Sequence, residues 1–232
     1  MNIEYKITPN KHLITLTQHP VLVLHSTLGA YRGAVDWLTN PRSNVSAHAV
    51  FGRHRGEVTQ LADSRYACWH AGRVNNPTER AKAVLPKNIF GKLKNPNAST
   101  FGLEFAGGYD IDRDGVIEPW EQKLNQNQIE DGVEYVLDEL EPDILKRHNM
   151  KVKFKDVYTI THQDITADKP DIQHSRDLFV ATLAKRRAER ERGTPAMYIN
   201  PLASFGTKEL VTEMMTRPKW VDILMGELKN KK

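Results

Sequence analysis

Two short apolar runs that each stop on a histidine constrain this chain more than any other feature. Val21-Leu22-Val23-Leu24 ends at His25-Ser26-Thr27, and Val157-Tyr158-Thr159-Ile160-Thr161 ends at His162. Runs this short, bounded by polar residues, read as buried strands rather than helices. Residues 47–51 and 57–61 flank a polar turn at 53–56 and read as a hairpin, and 101–105 is a further strand followed by Gly107-Gly108. Helical spacing alternates with these runs. Ile129, Val133, Val136, Leu137, Leu140 and Ile144 recur at three- and four-residue steps, with Glu130, Asp131, Glu134, Asp138 and Glu139 on the other face. Residues 29–38 and 178–192 read as two more helices. The alternation predicts an α/β fold, a central mixed β-sheet flanked by helices. Residues 73–99, with Pro77, Pro86 and Pro96, are expected to form a long loop. Residues 193–201, with two prolines, are expected to separate a main domain, 1–192, from a small helical C-terminal extension, 193–232.

Composition narrows the function classes. A chain of 232 residues with 39% hydrophobic residues buries a core of its own, which excludes a disordered segment or a disulfide-stapled miniprotein. The single cysteine, Cys68, excludes an internal disulfide framework and any CxxC zinc site, so the nine histidines are the place to seek metal ligands. A net charge of +4 is too weak to argue for nucleic acid, and no basic-aromatic stripe supports that partner. It suits an anionic polymer such as bacterial cell wall. No apolar stretch approaches the length of a membrane span, so no stable membrane insertion is expected. Residues 1–20 lack a secretory pattern, and synthesis in a cytoplasm without a signal peptide is expected.

His25 and His162 follow strands directly, and strand ends bring ligands to one rigid spot. A catalytic zinc takes three protein ligands and leaves a position open. Asp171 is a reasonable third ligand, returned by the loop 163–170, and Lys169 would point at the same place. A lone histidine after a strand is more often a hydrogen-bonded turn residue, so spacing alone does not decide. A longer series does. His25-Ser26-Thr27, Trp37-Leu38-Thr39-Asn40-Pro41, Val45-Ser46-Ala47-His48, Trp69-His70-Ala71-Gly72, Asn97, Phe101-Gly102-Leu103-Glu104 and His162-Gln163-Asp164-Ile165 through Lys169-Pro170-Asp171 stand in one order. Over roughly residues 20–185 this resembles the zinc-dependent N-acetylmuramoyl-L-alanine amidase family (type 2). That family includes phage lysins, bacterial wall amidases and relatives of the peptidoglycan recognition proteins.

The resemblance implies that His25, His162 and Asp171 ligate zinc and that Glu104 activates the attacking water. It implies that Lys169 stabilises the oxyanion, that Trp69 and His70 wall the substrate cleft, and that Asn97, just before the catalytic strand, contacts substrate. It also implies a fold like the peptidoglycan recognition proteins. Two departures stand out. The loop between His162 and Asp171 is slightly shorter than the family pattern, although Lys-x-Asp is kept. Ala47 stands where some members carry a catalytic tyrosine, which puts more weight on Glu104. The implied reaction is hydrolysis of the amide between N-acetylmuramic acid and L-alanine in bacterial peptidoglycan. Without a signal peptide, a phage endolysin is the expected role, one that accumulates in the host cytoplasm and reaches the wall and periplasm on lysis. A cytosolic muropeptide-recycling amidase is the nearest alternative. A non-catalytic peptidoglycan-binding protein is the other, although such proteins typically lose a zinc ligand. A monomer is the default expectation.

A second signal lies at Asp110-Ile111-Asp112-Arg113-Asp114-Gly115-Val116-Ile117-Glu118-Pro119-Trp120-Glu121. Asp110, Asp112, Asp114, the Val116 carbonyl and Glu121 match the ligand positions of an EF-hand loop, with Gly115 at the sharp turn. Calcium pinning the segment after Glu104 is the favoured reading, and a solvated acidic turn is the other. The charge run 185–192 reads as the solvated face of a helix, and Cys68 as a small packed hydrophobe. His48, His54 and His174 have no clear partner in the sequence.

Overall fold

The computed structural model describes residues 2–107, 123–167, 169 and 172–193. The acidic loop 110–121, with its expected calcium ligands, lies outside the described residues, as do Asp171 and the C-terminal residues from 194 onward. The chain divides into two compact units, Met1–Arg187 and Ala188–Lys232. The first unit is a six-stranded mixed sheet with helices on both faces. Its strands are β1 (Glu4–Tyr5), β3 (Val21–Leu28), β4 (Ala49–Phe51), β5 (Val58–Gln60), β7 (Thr100–Gly107) and β8 (Thr159–Thr161), in the order β1-β5-β4-β7-β3-β8. All neighbours run parallel except the β4–β5 hairpin. A separate antiparallel pair joins β2 (Lys11–Leu13) to β6 (Tyr66–Cys68). The predicted α/β class with a mixed sheet is the observed one.

Alternation along the two central strands sorts the core into layers. Leu22 and Leu24 of β3 and Phe101, Leu103 and Phe105 of β7 face one way, onto Ile129, Val133, Phe179 and Leu183. Those four come from α3 (Gln126–Tyr135) and α6 (Gln173–Glu191). Gly132 of α3 sits so close that a Cβ there would come within 2.9–3.0 Å of the Phe179 and Phe105 rings. Val21 and Val23 face the other way, onto Ala81 and Leu85 beside α2 (Glu79–Val84) and Ile165 of α5 (His162–Ile165). On that same side α1 (Tyr31–Thr39) buries Tyr31, Ala34, Val35 and Leu38 against Val50, Leu61 and Ala106.

Several expectations shift by a turn or more. The strand predicted to stop before His25 continues to Leu28, because β7 continues beside it rung for rung to Gly107. The strand predicted over 157–161 is shorter, since Asp156–Tyr158 form a 3-10 turn. The helix predicted across 129–144 is interrupted by a π-turn at Val136–Leu140, and α4 (Glu141–His148) resumes with Pro142 in its first turn. Proline lacks the N–H that a continuous helix would use there. The expected loop 73–99 contains α2, started by Thr78, whose side chain accepts from the Ala81 N–H. Among the described residues no helix is long and apolar enough to cross a membrane.

Candidate active site

Three neighbouring parallel strands bring the predicted residues to one rung. His25 of β3 pairs in register with Glu104 of β7. Leu24 pairs with Thr161 of β8, so His162, one residue on, arrives beside His25. His162 thus lies just past the end of β8, whereas His25 and Glu104 have three more paired residues beyond them. The sequence Thr161-His162-Gln163-Asp164 fixes the third member locally. It is a capping box, in which the Thr161 hydroxyl accepts from the Asp164 N–H and the Asp164 carboxylate accepts from the Thr161 N–H. That box turns the chain sharply after β8 and starts α5 on His162. Behind it, the buried Arg176 donates from Nε to the Thr159 carbonyl at 2.8 Å and pins β8 to α6.

The geometry is tight. The His25 and His162 rings lie 4.7 Å apart at 64°. His25 Nδ1 is 4.0 Å from Glu104 Oε1. All three line one cleft of about 390 Å³ with Trp37, Trp69 and Lys169. Burial holds His25 well below the ordinary histidine range, helped by His162 and His70. Burial, and then the Lys169 charge, lowers His162 to about 4 against a hydrogen bond to the Ala71 backbone. Both imidazoles are therefore neutral near pH 7, the form that ligates metal. Among the described residues no group of three His, Cys, Asp or Glu side chains completes a metal site. Asp171, the expected third ligand, lies outside them.

The remaining predicted residues divide. Trp69 forms part of the cleft wall, its indole N–H donating to His12 Nδ1 at 3.0 Å. Lys169 is exposed at the cleft. His70 borders it too and Asn97 lines an adjoining pocket, and both make hydrogen bonds within the protein. Asn97 Oδ1 accepts from the His70 N–H at 3.1 Å and the Ala71 N–H at 2.7 Å. His70 Nδ1 lies 2.8 Å from His25 Nε2. Ala47 is fully buried and offers the cleft no acid or base. Trp37, in the motif series but without an expected site role, is 57% exposed on the cleft side of α1. Its signal was available, since Tyr31, Ala34, Val35 and Leu38 form the buried stripe and leave Trp37 off it.

Gly102 explains how His70 fits. A Cβ at position 102 would stand 2.4 Å from His70 Cγ, so only glycine admits the imidazole there. Gly102→Ala is expected to destabilise the fold by about 1–3 kcal/mol, as overpacked cores do. Denaturant midpoints of the two chains check this.

His48 has a structural role. Its Nδ1 accepts from the Gly102 N–H at 3.1 Å, and its Nε2 donates to the Tyr66 carbonyl at 2.9 Å. Burial lowers it to about 4. An unfolded histidine takes its proton near 6.5, so the unfolded chain binds more protons between about pH 6.5 and 4. Stability from His48 is thus fully present above pH 6.5 and declines as pH falls toward 4, by about 3 kcal/mol in all. The acid-side slope of stability against pH should flatten in His48→Gln. Burial likewise pushes the Cys68 thiol up to about 12, which leaves it unreactive.

Two neutral imidazoles and a carboxylate thus meet on three neighbouring parallel strands of the sheet. The family comparison is specific: the N-acetylmuramoyl-L-alanine amidase family model matches residues 16–174, and the chain belongs to that family. N-acetylmuramoyl-L-alanine amidase A of Achromobacter lyticus is 33% identical over 58 residues, 25% of this chain and 33% of that protein. The chain thus spans about a third of that curated relative's length. Among solved structures it is similar to the PlyG catalytic domain, with a TM-score of 0.49, 14% identity, and 80% and 94% of the two chains covered. It is similar to a mutant endolysin from Bacillus subtilis, with a TM-score of 0.48, 17% identity, and 79% and 99% covered. It is also similar to the amidase AmiD from E. coli in complex with anhydro-N-acetylmuramic acid-L-Ala-D-gamma-Glu-L-Lys. There the TM-score is 0.45, with 19% identity and 83% and 66% covered.

Proposed function

We propose that this chain hydrolyses the amide bond between N-acetylmuramic acid and L-alanine in peptidoglycan, as a zinc enzyme that lyses the cell wall. The observation that carries the reading is the convergence of His25 and Glu104, paired midway along β3 and β7, with His162, one residue past the end of β8. The donor chemistry fits zinc, with two close imidazoles kept neutral by burial. His25 and His162 would hold the ion, with Asp171 as the third ligand. When bound, zinc supplies a water of lowered pKa and polarises the scissile carbonyl.

The protein's own groups do the rest. Glu104 takes a proton from the attacking water and delivers it to the L-alanine nitrogen as the C–N bond breaks. Lys169 meets the negative charge developing on the carbonyl oxygen. Trp37 and Trp69 present aromatic surface on the cleft, suited to the sugar and the peptide stem. The acidic loop 110–121 is proposed as a calcium site, and residues 193–232 as an extension outside the amidase domain.

The endolysin role is tested by comparing rates on intact sacculi and on soluble anhydro-muropeptides. Preference for sacculi is expected. Turnover of soluble fragments alone would make the protein a recycling amidase. Binding to sacculi without cleavage by the zinc-loaded chain would make it a recognition protein.

A further inference from the structure

Behind the two imidazoles runs a chain of hydrogen bonds whose donors can be assigned one after another. It begins at the Pro96 carbonyl, which can only accept. Thr100 Oγ1 donates to it at 2.8 Å. A hydroxyl has one proton, so Thr100 Oγ1 must accept from His70 Nε2, 3.0 Å away. His70 therefore carries its proton on Nε2 and a lone pair on Nδ1. That lone pair accepts from His25 Nε2 at 2.8 Å. Neutral His25 is thereby protonated on Nε2, and its lone pair is on Nδ1, the nitrogen 4.0 Å from Glu104 Oε1.

We propose that His70, backed by Thr100, is a positioning residue that fixes the tautomer of His25, so that His25 offers Nδ1 to the metal. The proposal rests on the reading of His25 and His162 as zinc ligands. The opposite tautomer would put a proton on the nitrogen that has to ligate. The same segment serves the second imidazole. Asn97 Oδ1 occupies the Ala71 N–H, so the Ala71 backbone hydrogen bond to His162 is made by its carbonyl. His70, expected from sequence to wall the substrate cleft, and Asn97 thus form the frame behind the ligands, as the outer partners of metal-binding histidines commonly do.

The test combines zinc affinity, by competition with a chelator, with long-range proton–nitrogen spectra of the His25 ring in the metal-free full chain. The wild-type spectrum is expected to show a protonated Nε2 and a bare Nδ1. His70→Leu removes the acceptor and should weaken zinc binding about 10–100-fold. Thr100→Val is close in shape and removes the hydroxyl acceptor, loosening the hold on the His70 proton while the Thr100 backbone remains. It should weaken zinc in the same direction and broaden or shift the His25 nitrogen signals. His70→Asn keeps an oxygen acceptor near the position of Nδ1 and should recover most of the affinity. A wild-type His25 protonated on Nδ1, or His70→Leu binding zinc as wild type does, would overturn the proposal. A wild-type chain that binds no zinc would overturn the ligand reading itself, a different result from either.

Discussion

Glu104→Gln is expected to lower turnover on peptidoglycan by about 10²–10⁴-fold, the range general acid–base groups supply. The substitution keeps shape and hydrogen-bonding capacity but cannot take a proton. Glu104 is 8% exposed, on a strand paired along its whole length with β3, so its position is set by backbone rather than by a mobile loop. Zinc affinity and thermal midpoint should stay near wild type, since the carboxylate is not among the proposed ligands. Ala47 cannot substitute for it, being fully buried without a titratable group. A variant that folds, binds zinc and still turns over at the wild-type rate would remove Glu104 from the mechanism.

The second large effect is at Lys169. Lys169→Met should lower kcat by about 10²–10³-fold, as loss of one oxyanion donor does elsewhere. KM should change little, because the charge it meets develops only in the transition state. Its exposed position separates the effect of this variant from folding. A rise in KM with kcat unchanged would assign Lys169 to ground-state binding.

The central strands and the histidines that follow them were legible because short apolar runs ending in histidine carry strong local information. Leu22 and Leu24 announce a buried strand whatever surrounds them, and Glu104 stands in the same motif series as His25, although only the strand register shows that the two pair. The small elements were not legible. β1 is two exposed residues and owes its existence to pairing with β5, which no local pattern encodes. The π-turn after Tyr135 preserves an apolar face, so the spacing there mimicked one continuous helix. The roles of His70 and Asn97 were hidden for a different reason. Their partners lie 45 residues away for His25 and 26–27 away for the backbone they clamp. A motif shows that such residues stand near a site; only the fold shows which way their polar atoms point. The capping box at Thr161 and Asp164 was open to the sequence and explains why His162 stands at the turn.

The most direct test of the central claim is mass analysis of products released from purified sacculi by the full chain, with zinc present, chelated and restored. The account predicts stem peptides with new free L-alanine amino termini and glycan strands left uncut, lost on chelation and regained with zinc. Cleavage that persists without metal, or fragments cut within the glycan or between other stem residues, would contradict it.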